Sequence, residues 1–108
     1  MITLKAGKKE YPLRLTTKGC VSIESRIRKN PLNVFMDASE NKMPMISDLM
    51  VILHECINGA NHGVKLDDVY DIYDDFCADG GDFMQLIELL VKVFQESGFI
   101  PKDDEVKN

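Results

Sequence analysis

Residues 82–98, DFMQLIELLVKVFQESG, decide the fold predicted for this chain. Asp82 followed three residues later by Gln85 is typical of a helix N-cap with a capping box, and Gly98 is typical of the residue after a helix. The polar side chains between them fill an arc of only about 100°, which leaves about 260° apolar. A surface helix needs a narrower apolar stripe. We therefore expect either the central helix of a small domain or a helix that keeps apolar surface for a partner.

The N-terminal residues predict a β-hairpin. Apolar and polar side chains alternate over 2–6 and again over 10–15, on either side of a turn that contains Gly7. Two strands alone are marginally stable in water, so this hairpin (residues 2–15) must pack its apolar side against helices.

Apolar periodicity and capping residues predict the helices that follow the hairpin. They are a helix from Thr16 or Thr17 to about Lys29, a short helical turn from Asn30-Pro31, a helix from Pro44 to Gly59, a helix over 66–78 and the helix that begins at Asp82. Residues 38–42 are predicted to be a polar loop. The predicted class is α+β, mostly α: an N-terminal β-hairpin followed by a compact bundle of four to five short helices.

Length and composition favour one domain, at residues 1–101, with the helical bundle over 16–100 and a disordered polar tail over 102–108. The three cysteines are an odd number without Cys-x-x-Cys spacing, which favours a reducing cytosol. Charged and polar residues interrupt the most apolar run, 83–94, so it is too short to span a membrane. We therefore expect a soluble intracellular protein.

The net charge of −5 hides an asymmetry between the two parts of the chain. Residues 1–36 carry eight basic and two acidic side chains, whereas residues 37–108 carry five basic and sixteen acidic ones. An acidic body argues against nucleic-acid binding, because affinity for phosphates comes from Lys and Arg. The basic segment suits an acidic partner, the acidic face of another copy, or the chain's own helices, and the last is favoured.

Candidate metal and catalytic sites fail on spacing. His54 and Cys56 are two residues apart on a helix, so their side chains point about 200° apart and cannot bind one ion. The His54-Glu55 pair starts like a zinc-protease motif, but Asn58 stands where the second His is required. The acidic residues of 67–82 have no Ser, Cys or His base on the same face. We expect no enzyme activity, metal or cofactor.

Four stretches, taken in order, carry a resemblance to a known family. They are ITLKAGKKEYPLRLTTKGCVSIESRI (2–27), NPLNVF (30–35), MPMISDLMVILHECINGANHGVKLDDVYDIYDDF (43–76) and LIELLVKVFQESGFI (86–100). Together they resemble the small tail assembly chaperones of long-tailed, siphovirus-type bacteriophages and prophages of Gram-positive hosts. None of the stretches is a catalytic motif, so the resemblance rests on the ordered set.

The resemblance implies a non-enzymatic role in virion morphogenesis. Such chaperones coat the long, hydrophobic tape measure protein in the host cytoplasm, keep it soluble and help recruit tail tube subunits. They are absent from the finished virion. The implied partners are therefore the tape measure protein, possibly the tail tube protein and other copies of the chain, with no nucleic acid and no membrane.

The helix that begins at Asp82 could supply the client-binding surface that the resemblance implies. A chaperone for an amphipathic client needs exposed apolar surface and adaptable side chains, such as methionines. We predict that one flank of this helix faces the client or a neighbouring copy. The candidates are Met84, Ile87 and Val91 on one side, or Leu86, Leu89 and Val93 on the other.

Two further classes of function stay open. One is a different structural part of a phage, such as a head–tail connector or tail completion protein. The other is a cytosolic helical adaptor or regulator. Detection in purified virions favours the connector, and a neighbouring tape measure gene favours the chaperone.

Overall fold

The computed structural model describes residues 1–101, and the tail predicted for 102–108 lies outside the described residues. The elements, in chain order, are β1 (Ile2–Ala6), β2 (Lys9–Leu13), α1 (Thr17–Ile27), α2 (Pro31–Ser39), α3 (Ile46–Ala60), α4 (Leu66–Ala78) and α5 (Phe83–Glu96). The predicted fold class is confirmed: an antiparallel hairpin precedes five helices in a compact globule.

The hairpin packs its apolar face against the helices, as predicted, and its two strands pair in antiparallel register. Leu4 lies opposite Tyr11, Ile2 lies opposite Leu13, and Gly7 takes a positive φ of 65° in the turn. Leu4 and Leu13 are fully buried because the apolar side of the hairpin packs against the helices. This packing supplies the support that a two-stranded sheet lacks in water.

Helices α1 and α2 begin at the predicted caps. The hydroxyl of Thr16 accepts a hydrogen bond from the Gly19 N–H at 3.0 Å, and the Asn30 side chain accepts one from the Leu32 N–H at 2.9 Å. Each cap satisfies a backbone donor that has no partner within the helix. Pro31 then occupies the first helical position, where its missing N–H costs nothing.

Several predicted boundaries were wrong: β2 ends at Leu13 and not at Leu15, α1 ends at Ile27 and not near Lys29, and α2 and α3 also differ. Helix α2 continues to Ser39, so Ala38, predicted to lie in a loop, is a helical residue that is buried in the core. Helix α3 begins at Ile46 instead of Pro44, because Met45 keeps an extended backbone and its carbonyl is the first to accept helical hydrogen bonds. Burial of Ala38 therefore decided the end of α2, and the carbonyl of Met45 decided the start of α3. The capping preferences of the local residues predicted neither boundary.

Helix α5 has both predicted ends. The Asp82 side chain accepts from the Gln85 N–H at 2.9 Å, while the Gln85 side chain accepts from the Asp82 N–H at 3.0 Å, which completes the capping box. At the other end Gly98 has a φ of 87°, and the Phe99 N–H bonds to the Phe94 carbonyl at 2.9 Å. This is a Schellman motif, in which a left-handed residue closes the helix.

The hydrophobic core includes side chains from both strands and all five helices. Leu90 and Phe94 of α5 are fully buried within it. Phe94 meets Phe35 of α2 edge to face, with ring centroids 5.0 Å apart, and Phe99 at 6.2 Å. Helix α5 therefore contributes a buried face to the core, whereas α3, which contacts α1, α4, α5 and β2, is the helix at the centre of the domain.

Within residues 1–101, no helix is both long enough and apolar enough to cross a membrane.

Candidate functional site

The two flanks of α5 have different environments. Leu86 and Val93, predicted as candidate partner-binding residues, have no exposed surface, and Leu89 on the same side is half-buried. This flank packs against the hairpin, where Leu89 lines a small depression together with Thr3 and Leu4. Because Leu86 and Val93 belong to the core, this fold does not offer them to a partner.

The opposite flank of α5 is open. Met84 is 43% exposed, Val91 is half-buried, and Ile87, only 5% exposed, forms the floor between them. These residues face α2 across a shallow surface that we call the α2–α5 groove. The structure thus brings Met84, Ile87 and Val91 together on one surface, as predicted for one of the two flanks.

Two adjoining cavities form the α2–α5 groove. The first has a volume of about 340 Å³ and lies between the C-terminal half of α2 and the stretch of α5 from Met84 to Gln95. The second has a volume of about 400 Å³ and extends to Phe99, Ile100 and Pro101. Both cavities are lined by Phe35, Ser39 and Val91, so the groove is continuous along α5.

The sequence interpretation missed the contribution of α2 to this site. Leu32, Phe35, Met36 and Ser39 are spaced at i, i+3, i+4 and i+7 and form the second wall of the groove. Met36 is 60% exposed, and its flexible, apolar side chain forms the outer edge of this wall. The periodicity was present in the sequence, but a loop prediction from residue 38 left too short a segment to show it.

A second exposed apolar surface lies between the start of α3 and α4. It surrounds a cavity of about 280 Å³ that is lined by Ile46, Met50 and Tyr70, among others. Met45 and Ile46 are exposed here, although the periodicity of α3 placed them on its apolar face. Since its cavity is smaller than either cavity of the α2–α5 groove and lies off the flanks of α5, this surface serves for comparison.

The basic N-terminal segment folds back in part on the chain's own helices, as favoured from the sequence. Arg26 of α1 pairs with Glu55 of α3 at 2.8 Å, and Lys29 pairs with Asp48 at 3.0 Å. Glu55 also accepts a hydrogen bond from Ser22. These partly exposed pairs orient α1 against α3 and each contribute modestly to stability.

His54, Cys56 and Cys20 lie in surroundings that suit a structural role. His54 Nε2 lies 2.6 Å from the Val64 carbonyl oxygen, which Asn58 also contacts at 3.1 Å. Burial raises the pKa of the Cys56 thiol, and desolvation also raises the pKa of Cys20. Raised thiol pKa values reduce the thiolate fraction that metals and electrophiles require. In the part of the chain that the structure describes, no three His, Cys, Asp or Glu side chains form a potential metal site.

The comparison with known protein families gives a match over almost the whole chain. A family described as "Family of unknown function (DUF6096)" matches residues 1–107. The chain belongs to this DUF6096 family. No match was found among curated proteins or among solved structures. The family description assigns no activity, so the functional argument for this DUF6096 chain rests on its own surface and on the resemblance of its sequence.

Proposed function

We propose that this chain is a phage tail assembly chaperone that binds the tape measure protein through the α2–α5 groove. In this role it solubilises the tape measure protein in the bacterial cytoplasm and helps recruit tail tube subunits. It leaves before the virion is complete. The proposal rests on the resemblance of residues 2–100 to such chaperones and on one structural observation.

That observation is the open apolar flank of α5. Met84 and Met36 are large apolar side chains that lose contact with water only when another molecule covers them. Exposed apolar patches that are lined by flexible methionines suit clients of variable shape, because unbranched thioether side chains adapt to different contours. Binding of this kind needs no catalytic residue, in keeping with a chaperone role.

Co-expression of the chain with a tape measure protein tests the proposal. We expect Met84→Asp and Met36→Asp to reduce co-purification of the tape measure protein at least about tenfold, since each places a charge in the apolar contact. Both side chains are exposed, so circular dichroism of the free variants should match that of the original chain.

Met45→Asp is the matched control. It makes the same substitution at an exposed methionine outside the α2–α5 groove, and an acidic residue at the N-terminus of α3 is compatible with the helix dipole. We expect this variant to co-purify normally. Normal co-purification of a folded Met84→Asp, Met36→Asp double variant would contradict the proposed site, and detection of the chain in purified virions would favour a connector instead.

A further inference from the structure

The hairpin has two outer edges, and the ladder between its strands fixes which backbone groups face them. The two-residue turn makes Ala6 and Lys9 the first pair that exchanges hydrogen bonds, because no pair inside the turn can do so. Bonded and non-bonded pairs alternate along an antiparallel ladder, so Leu4 also bonds to β2. The intervening residues of β1, Thr3 and Lys5, therefore point their backbone N–H and C=O groups away from β2.

The outer edge of β2 is protected. Pro12 lies opposite Thr3 on the ladder, and a proline has no backbone N–H to present on this edge. The N–H of Arg14, further along the same edge, donates a hydrogen bond to the Cys56 carbonyl of α3 at 2.9 Å. Proline and a covering helix are two devices by which natural sheets prevent an edge from pairing with another strand.

The outer edge of β1 has neither device. The outward backbone groups of Thr3 and Lys5 hydrogen-bond to no residue of 1–101. Both residues can donate as well as accept, and they are two positions apart, as pairing with a further antiparallel strand requires. This edge is therefore open to an extended backbone.

A cavity of about 290 Å³ lies beside the open edge. Its lining comes from β1 and from both neighbouring helices: Thr3, Leu4, Lys5, Phe76, Gln85 and Leu89. In a strand paired with β1, the residue opposite Leu4 points its side chain to the same face of the sheet as Leu4, toward the helices. An apolar side chain at that position would contact Phe76 and Leu89, which are both half-buried.

We propose that the outer edge of β1 binds an extended segment of a partner protein, which adds a third strand to the hairpin and places an apolar side chain in the cavity beside Leu89. In this mode of binding, backbone hydrogen bonds supply affinity and alternate side chains supply specificity. The inference does not depend on the proposed function, because neither cavity of the α2–α5 groove is lined by β1.

A second copy of the chain fits this edge less well than a separate segment. If two β1 edges paired antiparallel about their centres, the residue opposite Leu4 would be Leu4 of the second copy. Leu4 is fully buried in its own core, and Ala6 on the same face is buried as well, so neither side chain can also enter a cavity of another copy. The cavity therefore requires an apolar side chain that is not already part of a folded core.

Short extended peptides test the inference through amide hydrogen exchange followed by NMR. The first peptide alternates valine and threonine, with a valine at its centre and glutamate at each end. A second carries N-methyl groups on the two threonines beside the central valine, whose N–H groups would face β1. A third carries them on the central valine and one other valine, whose N–H groups would face away. With peptide in large excess, we expect the first and third peptides to slow exchange of the Thr3 and Lys5 amides at least about fivefold, and the second to have no effect.

Proline substitutions in the hairpin locate the contact. Thr3→Pro removes an outward N–H from β1 and leaves the ladder with β2 intact, as the natural Pro12 does on the other strand. Glu10→Pro, the matched control, makes the same change on the outer edge of β2. We expect Thr3→Pro to weaken binding of the first peptide at least about fivefold and Glu10→Pro to leave it unchanged, with the fold of both variants checked by circular dichroism.

Several outcomes would overturn the inference. They are no protection by the first peptide, equal protection by the two N-methylated peptides, and unchanged binding in a folded Thr3→Pro variant. Concentration-dependent self-association that Thr3→Pro abolishes would make a second copy the occupant and overturn it as well. Met84→Asp, in the α2–α5 groove, should bind the first peptide normally whether or not it retains the tape measure protein, which separates this inference from the proposed function.

Discussion

The two flanks of α5 belong to one helix and have similar apolar side chains, yet one is closed and the other is open. The hairpin and the core close the flank of Leu86 and Val93, which have no exposed surface. On the other flank Met84 remains 43% exposed, because the shorter α2 meets α5 over only part of its length. Apolar character therefore shows which surfaces must avoid water, and the neighbouring elements decide which surfaces are left for a partner.

The largest difference between the flanks should appear when each is truncated. We expect Leu86→Ala to lower the free energy of unfolding by about 2–5 kcal/mol, because it leaves a cavity in the core. Met84→Ala should cost less than about 1 kcal/mol, since that side chain is already partly in water. Urea denaturation of both variants measures the difference. Similar losses for the two variants would show that the Met84 flank is as closed as the other.

The closed flank depends on the hairpin, which packs closely against α3 because Gly59 of α3 has no side chain. A Cβ atom at this glycine would lie 1.9 Å from the carbonyl oxygen of Arg14, just after β2, and both are backbone positions that cannot move independently. We expect Gly59→Ala to cost about 1–3 kcal/mol in the free energy of unfolding, measured by urea denaturation, as for other overpacked sites. Hydrogen exchange should become faster in β2, while the Met84 flank keeps its client.

Gly19→Ala is the matched control for this change. The nearest atoms to its added Cβ are the side-chain atoms Thr16 Oγ1 at 3.2 Å and Leu15 Cδ1 at 3.5 Å, and the site lies within α1. Alanine also has the higher helix propensity, so the change should stay within about 1 kcal/mol. If Gly59→Ala were equally mild, the hairpin would not depend on this close approach.

The smallest expected effect concerns the tip of the hairpin. The Gly7 N–H donates a hydrogen bond to Asp79 Oδ2 at 2.6 Å, which joins the turn to the end of α4. We expect Asp79→Ala to cost about 0.5–1 kcal/mol in urea denaturation, since the bond is exposed. Asp75→Ala should cost less, because its carboxylate lies near Gly7 but forms no hydrogen bond with any residue of 1–101. An equal loss of stability in Asp79→Ala and Asp75→Ala would show that the removal of a negative charge, and not the loss of this hydrogen bond, causes the effect.

Local signals in the sequence were sufficient for most of the secondary structure. Asp82, Gln85 and Gly98 predicted both ends of α5, because caps and left-handed glycines satisfy backbone groups within a few residues of themselves. The hairpin followed from two-residue alternation around Gly7, and α4 followed from its acidic outer face. The predicted end of α2 was wrong because burial of Ala38 against distant residues extended the helix, whereas the predicted start of α3 was wrong because Met45 keeps an extended backbone.

The candidate site was only half determined by the sequence. The pattern of α5 showed that its apolar arc is too wide for one neighbour, and it named Met84, Ile87 and Val91 as one of two possible flanks. Choosing between the flanks required knowing where the hairpin packs, which depends on contacts between residues far apart in the chain. The tertiary structure alone decided that the hairpin covers Leu86 and Val93, and that Met36 of α2 faces the open side, because side-chain exposure is a property of the packed assembly of elements.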